Sequence, residues 1–548
     1  MPSSVRCAPC GDPSAAPGTR TRSRSARALV LALVLALVLA STALPAGCAS
    51  SDGQDLDEGP ASSTGGETPN PATAGSPTPA PGTGSPTTLP GVDAPRAGLA
   101  GLADLAGVGD RLYPRAGNAG MDVLHVDATL DWQPGGAGSG DRDGDGVLEA
   151  VVTLDVALTA DRPGLQFDLG SMQVRSATVD GEPAPVTHED GELVLAPGQL
   201  FGRGSTHRVV VSYAGRPAPV DDATGAGFAV GWTTLGEGSY VASEPIGAST
   251  WLVGNDHPSD KATYRLSVTA PADLDVVATG PLHERRAGPR PSTTTWVFEP
   301  RDPVASYLVS VAIGRFDTIE AQAPHSGVAI RHAVPTGRLA EFGRVLAPTG
   351  TMIDTLTELF GPYPFEVYGV VVVDERLGYA LENQTLSLLD TNLALHGGEE
   401  TLVHELAHQW FGDSVSVARW SDIWLNEGFA TYAEALWAER HDPGYDLDAA
   451  MAEAWRAASR LGPIGDVERP ELFGDAVYQR GELTLHALRR SISDDAFFEL
   501  LHRWAATYRN QSVTTEQFVA LASEVAGRPL DAFFDAWLFA PTMPTLPR

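Results

Sequence analysis

Between residues 106 and 320 apolar and polar positions alternate with a period of two. Runs such as EAVVTLDVALTA from Glu149, HRVVVSYAG from His207, TYRLSVTAP from Thr263 and SYLVSVAIG from Ser306 carry this pattern, and Gly, Pro and Asp turns separate them. That alternation predicts half-buried β-strands. From about residue 340 the period becomes helical, interrupted by VYGVVVVDE from Val367, which reads as one buried strand. Beyond about 445 only helical patterns remain, ending in AFFDAWLFAPTMPTLPR, and no internal repeat occurs. The chain is therefore expected to be an α+β protein of several domains: β-rich at 106–320, mixed at 321–445 and helical at 446–548.

Composition changes the picture mainly at the N-terminus. Arg20, Arg22, Arg24 and Arg27 precede an apolar run from Ala28 to Ala40, followed by STALPAGC. A basic region, a short apolar stretch and small residues read as an export signal. The run is too short for a comfortable membrane span. Ala46, Gly47 and Cys48 resemble the end of a bacterial lipobox, with Pro45 standing where leucine is usual. Residues 1–48 are accordingly expected to be a signal segment, Cys48 a lipidation site, and the protein lipid-anchored outside the plasma membrane or otherwise secreted. Residues 49–105 are rich in Gly, Ser, Thr and Pro and read as a disordered tether.

The formal net charge is −32, and Lys261 is the sole lysine. So acidic a chain excludes a nucleic-acid partner. The three cysteines, Cys7, Cys10 and Cys48, all precede the folded region, which leaves no disulfide framework and no thiolate metal site there. DRDGDG at Asp141–Gly146 opens like a calcium loop, but its twelfth position is Val152 rather than glutamate, so a polar hairpin tip is expected.

The chemistry concentrates in TLVHELAHQWFGD, residues 401–413. Residues four apart on a helix lie about 40° from one another, so His404 and His408 can aim two imidazoles at one point. Glu405 is rotated by about 100° and can reach a water on a bound metal rather than the metal itself. A catalytic zinc takes three protein ligands and keeps a position for water. WLNEGFATYAE supplies the third candidate, Glu427, 19 residues after His408. Glu434 lies two turns beyond Glu427 on the same helical face and can accept the other N–H of a ligand histidine.

HELAHQWFGD followed by WLNEGFA resembles the aminopeptidase N family of zinc metallopeptidases (gluzincins), here in a short bacterial form. The resemblance runs from about residue 110 to 548 and includes EPIGASTWLVGNDHPSDKATY, GYALENQT, YQRGELTLHALR and the terminal FFDAWL. It implies a β-rich N-terminal domain, a thermolysin-like catalytic domain and a short helical C-terminal segment, with one zinc per chain. Tyr379–Asn383 match the family's Gly-Ala-Met-Glu-Asn motif, with tyrosine in the glycine position. The match implies that Glu382 binds the substrate's free α-amine and that Ala380 and Asn383 also contact substrate. Glu244 matches a second amine-binding group from the β domain, and Ala242 stands where the family usually has glutamine. Tyr478 matches the tyrosine that stabilises the oxyanion. The implied activity is zinc-dependent hydrolysis of the N-terminal peptide bond of peptides with a free N-terminus.

Three other readings compete with it. A zinc endopeptidase shares the HExxH pattern, although Glu382 and Glu244 argue against it. An epoxide hydrolase activity like that of a leukotriene-processing relative has no specific support in these residues. A surface lipoprotein that binds peptides without cutting them would not be expected to retain Glu405, Tyr478 and every zinc ligand. His257, His332, His441 and His486 lack such context and are expected to be ordinary surface or core histidines.

Overall fold

The computed structural model describes residues 107–135, 146–195, 200–222, 224 and 227–547. Cys48, the signal-like segment 1–48, the tether 49–105 and the loop Asp141–Gly146, apart from Gly146, lie outside the described residues. The described residues all belong to one compact unit, Thr87–Arg548.

The β-rich region is built from β1 (Met121–Gln133), β2 (Val147–Leu158), β3 (Gln173–Val179), β4 (Thr206–Gly215), β5 (Ala229–Leu235), β6 (Gly238–Ala242), β7 (Lys261–Pro271), β8 (Asp275–Ala278), β9 (Leu282–Ala287), β10 (Thr293–Phe298) and β11 (Val311–Gly314). A nine-stranded sheet runs β9-β10-β7-β1-β2-β4-β3, with Glu182–Pro183 at its edge and Val304–Ala305 paired to β7. β1 and β7 pair in parallel, while β1–β2 and β2–β4 are antiparallel. The alternation of the sequence becomes an inward face here. In β2, Leu148, Ala150, Val152, Leu154, Val156 and Leu158 are all buried. A second sheet runs β8-β11-β6-β5 and ends at Val220–Asp221. Trp132 of β1, Trp232 of β5 and the buried Trp251 join the two sheets, with successive ring centroids 5.3 and 5.7 Å apart.

A four-stranded sheet follows, ordered β12 (Phe316–Gln322), β13 (Ala329–Pro335), β14 (Val367–Val373) and β15 (Leu386–Asp390). β12 straddles the expected boundary at 320/321, because its partner is β13 of this sheet and not the preceding strands. β14 is the buried strand expected from VYGVVVVDE. β15, LSLLD, is a second one that the helical reading passed over. All five of its residues are buried, and a short apolar run without alternation does not distinguish strand from helix. The region beyond 445 is not purely helical either, since Gln511–Val513 forms a short strand parallel to Val415–Val417.

The main helices are α1 (Thr349–Phe360), α2 (Gly398–Ala407), α3 (Trp424–His441), α4 (Leu447–Ala458), α5 (Asp475–Ile492), α6 (Asp494–Thr507) and α7 (Thr515–Ala526). α3 packs against both α2 and α5, and these three helices bring together His404, His408, Glu405, Glu427, Glu434 and Tyr478. Among the described residues no helix is long and apolar enough to cross a membrane.

Candidate active site

α2 ends at Ala407, but His408 keeps helical geometry (φ −57°, ψ −27°), so the four-residue spacing still stacks the two histidines on one face. Their ring centroids are 4.8 Å apart. Glu427, in the first turn of α3, places Oε2 3.3 Å from His404 Nε2 and 3.5 Å from His408 Nε2. The other ring nitrogens are engaged. His404 Nδ1 lies 2.8 Å from Glu434 Oε1, and His408 Nδ1 lies 3.1 Å from the Phe411 carbonyl oxygen. A carbonyl can only accept, so His408 Nδ1 donates, which leaves Nε2 as the nitrogen turned to Glu427.

This donor set fits a divalent metal. Two imidazole nitrogens and one carboxylate oxygen converge, each histidine is oriented from behind, and the ligand atoms of His404, His408 and Glu427 lie within 4.8 Å of one another. The local field calls for positive charge. Burial alone would lower the His408 pKa, yet Glu382 and Glu427 raise it to about 9. Burial would raise that of Glu427, yet the two histidines bring it down to about 2.

The turn after α2 is fixed by two residues with no assigned role in the sequence reading. Gly412 has φ +135°, and a Cβ there would lie 3.2 Å from His408 Nδ1, so the turn needs glycine. Lys261, at the start of β7, donates from Nζ to the carbonyls of Asp413 (2.5 Å) and Ser414 (3.1 Å) and to Ser416 Oγ (3.0 Å). Three acceptors match the three N–H bonds of an ammonium, although burial draws its pKa down to about 7. Its being the sole lysine was the available signal.

Glu244 and Glu382 face the same centre from the other side. With Glu427 they form a second group whose oxygens lie within 4.8 Å of one another. Both are buried, and Glu244 Oε1 and Glu382 Oε1 have no hydrogen-bond partner. Burial, with Glu382, Glu427 and Glu405 nearby, pushes the Glu244 pKa well up, and burial raises that of Glu382. Neighbouring buried carboxylates with free oxygens form a receptor for a cation.

Glu382 is held by Gln409, whose role the sequence reading did not identify. Gln409 Nε2 donates to the Glu382 carbonyl at 2.8 Å, and its Oε1 accepts from Thr385 N–H at 2.7 Å. The loop carrying Glu382 is thereby tied to the residue next to His408. Asn383 is buried beside Glu382 with Nδ2 unpartnered, and Ala380 is half-buried. Tyr379, in the family's glycine position, packs on Phe228 with ring centroids 4.5 Å apart. Ala242 closes β6, two residues before Glu244.

Glu405 is buried next to His404, and burial raises its pKa to about 8. Tyr478 of α5 stacks on the His404 ring at 6.0 Å and 23°. Burial, with Glu427 and Glu244 close by, holds its pKa well above that of a free phenol, so the hydroxyl remains a donor. The remaining histidines singled out in the sequence lie elsewhere. His257 bonds Ser259 and Asp110, His332 accepts from Val370 N–H, His441 meets Thr355, and His486 meets Tyr432 and Asp448.

Residues 346–537 match the Peptidase family M1 domain. Aminopeptidase N of Streptomyces lividans is 26% identical over 451 residues, covering 72% of this chain and 48% of that protein. Aminopeptidase M1 of Arabidopsis thaliana is 23% identical over 424 residues, covering 71% and 47%. The chain thus spans about half the length of these curated relatives. The crystal structure of an M1 zinc metallopeptidase from Deinococcus radiodurans is similar over 99% of its own chain and 81% of this one, with 33% identity and a TM-score of 0.73. A mutant of that protein has been solved with a bound Tyr-Ser-Ala substrate.

Proposed function

This chain belongs to the M1 family of zinc metallopeptidases, and from that premise we propose that it is an aminopeptidase releasing single residues from peptides with a free N-terminus. The observation that carries the reading is the pair Glu244 and Glu382, buried, with oxygens unpartnered, and facing the metal-binding trio. A substrate ammonium satisfies both carboxylates, while a blocked terminus leaves them buried and uncompensated. Anchoring the chain end there puts the first peptide bond beside Glu405.

His404, His408 and Glu427 would hold the zinc, with Glu434 and the Phe411 carbonyl orienting the histidines. Bound zinc supplies Lewis acidity, lowering the pKa of water and polarising a carbonyl. Glu405 accepts the proton of the attacking water and passes it to the departing amine. Its buried setting suits a group that must both take up and release a proton near neutral pH. The Tyr478 hydroxyl donates to the oxygen that gains negative charge.

The test compares fluorogenic aminoacyl amides with their N-acetylated counterparts, with and without chelator. Chelator-sensitive cleavage confined to the free-amine set is expected. Equal cleavage of blocked substrates would point instead to an endopeptidase. Binding of peptides without turnover would favour the peptide-binding lipoprotein reading. We also propose export and anchoring through Cys48, supported by the basic-apolar-small sequence of residues 20–48. Labelled fatty acid should be incorporated by the wild-type chain and not by Cys48→Ser.

A further inference from the structure

Helices α3 and α5 cross where each carries a glycine. A Cβ built on Gly481 would lie 2.6 Å from the Cα of Gly428, and one built on Gly428 would lie 2.8 Å from the Cα of Gly481. Both obstacles are backbone atoms, so no rotamer change relieves the clash. Packed helices usually stand about 8–10 Å apart, at a distance set by the side chains between them. Here no side chain intervenes. Glycine is the poorest helix former apart from proline, yet both helices accept it at this one point.

The crossing sits within the chemistry. Gly428 follows Glu427 directly. Gly481 lies three residues after Tyr478, so the two share a face of α5. From that face the Tyr478 ring reaches the metal-binding His404. α5 is also anchored by Arg480, fully buried, which donates to the carbonyls of Trp537 (2.6 Å), Gly462 (2.8 Å) and Ala540 (2.7 Å). Further along, Tyr432 of α3 and His486 of α5 approach to 3.2 Å. These contacts attach α5 to its surroundings, and the glycine pair, next to Glu427, is where the two backbones themselves touch.

We propose that the Gly428–Gly481 backbone contact is a positioning device that holds the Tyr478 hydroxyl at bonding distance from the reacting oxygen. This inference rests on the aminopeptidase reading. A methyl group at the crossing displaces α5 by a fraction of its own width, and a hydrogen bond aimed at a developing charge does not survive a shift of about 1 Å.

The test is a double-mutant cycle on the zinc-loaded protein with Gly481→Ala, Tyr478→Phe and both together. Two readouts are used: kcat and KM on an aminoacyl amide, and calorimetric binding of a free-amine phosphinic pseudodipeptide, whose tetrahedral anion accepts where the oxyanion would. Gly481→Ala is expected to keep one zinc per chain and a KM within about threefold, and to lose about 100-fold in kcat. In the Tyr478→Phe background it should cost no more than about threefold in either readout, because the group it positions is gone. Full additivity would overturn the proposal, as would loss of zinc from Gly481→Ala or an unchanged kcat. Failure of both Gly481→Ala and Gly428→Ala to fold would assign the contact to stability alone and overturn it too. A wild-type protein that neither cleaves the amide nor binds the phosphinate would remove the aminopeptidase reading, and this inference with it.

Discussion

Lys261 Nζ lies 2.5 Å from the Asp413 carbonyl oxygen, joining the first residue of a β-domain strand to the turn that ends the helix of His404 and His408. The same turn carries the Phe411 carbonyl that receives His408 Nδ1–H. The β domain therefore braces the turn that orients the His408 ring.

Lys261→Met keeps all but the last atom of the side chain and removes its charge and its donors. The Ser414 carbonyl then loses this donor in a buried site, the Asp413 carbonyl keeps the Ser416 hydroxyl at 3.2 Å, and the turn relaxes. Zinc release to excess chelator, followed with a metal-sensitive dye, is expected to quicken by about 10-fold, the lower end of what loss of an outer partner of a ligand histidine costs, because Lys261 acts on His408 through the turn. An unchanged release rate would mean that the turn holds its shape unaided.

Glu434 lies 2.8 Å from His404 Nδ1 and is the counterpart of that brace on the other histidine. Glu434→Ala should weaken zinc by about 10–100-fold in dye competition. Glu434→Gln, which keeps an acceptor oxygen, should lose less. The opposite ranking would show that the charge of Glu434, and not its orienting bond, matters to the site.

Glu382→Gln removes one carboxylate from the proposed amine receptor and preserves its shape. A charge-assisted bond is worth about 1.5–3 kcal/mol, so kcat/KM on free-amine substrates should fall by about 10–150-fold. Residual turnover of acetylated substrates should not change. A loss of the same size on both sets would assign Glu382 to catalysis or loop structure instead of amine recognition.

His332 gives a pH prediction remote from the metal. It is buried in β13, accepts Val370 N–H at 3.0 Å, and burial lowers its pKa from 6.5 to about 4. Between those values the unfolded chain holds a proton that the folded chain refuses, so stability falls as pH drops through 6.5 and levels off below about 4. The whole penalty is about 3 kcal/mol. His332→Asn offers Oδ1 in place of Nδ1 and does not titrate. Relative to this variant, the wild type should lose about 2–3 kcal/mol between pH 7 and pH 4.5 in urea unfolding. A constant difference between the two proteins across that range would refute the assignment.

Much of this architecture could be read from one dimension, and the reason is periodicity. The strands of the β-rich region appeared as alternation because one face of each meets a core and the other does not. His404, His408 and Glu405 appeared as a unit because helical geometry turns a spacing of four into proximity. Glu427 and Glu434 followed because the second helix has the same geometry. Glu244 and Glu382 became candidates only through family resemblance, since no local pattern distinguishes them from other glutamates. β15 was missed because full burial erases alternation.

By itself, then, the sequence determined what is local: periods, turns, and a helix that sets two histidines and a glutamate on neighbouring positions. Tertiary structure alone decided which distant groups share one low-dielectric space. It brought Glu244 and Glu382 to the carboxylate of Glu427, Lys261 to the turn at Asp413, Gln409 to the loop of Glu382, and Gly428 to Gly481. Such contacts leave no periodic trace, because they depend on how separate elements pack and not on the repeat within any one of them.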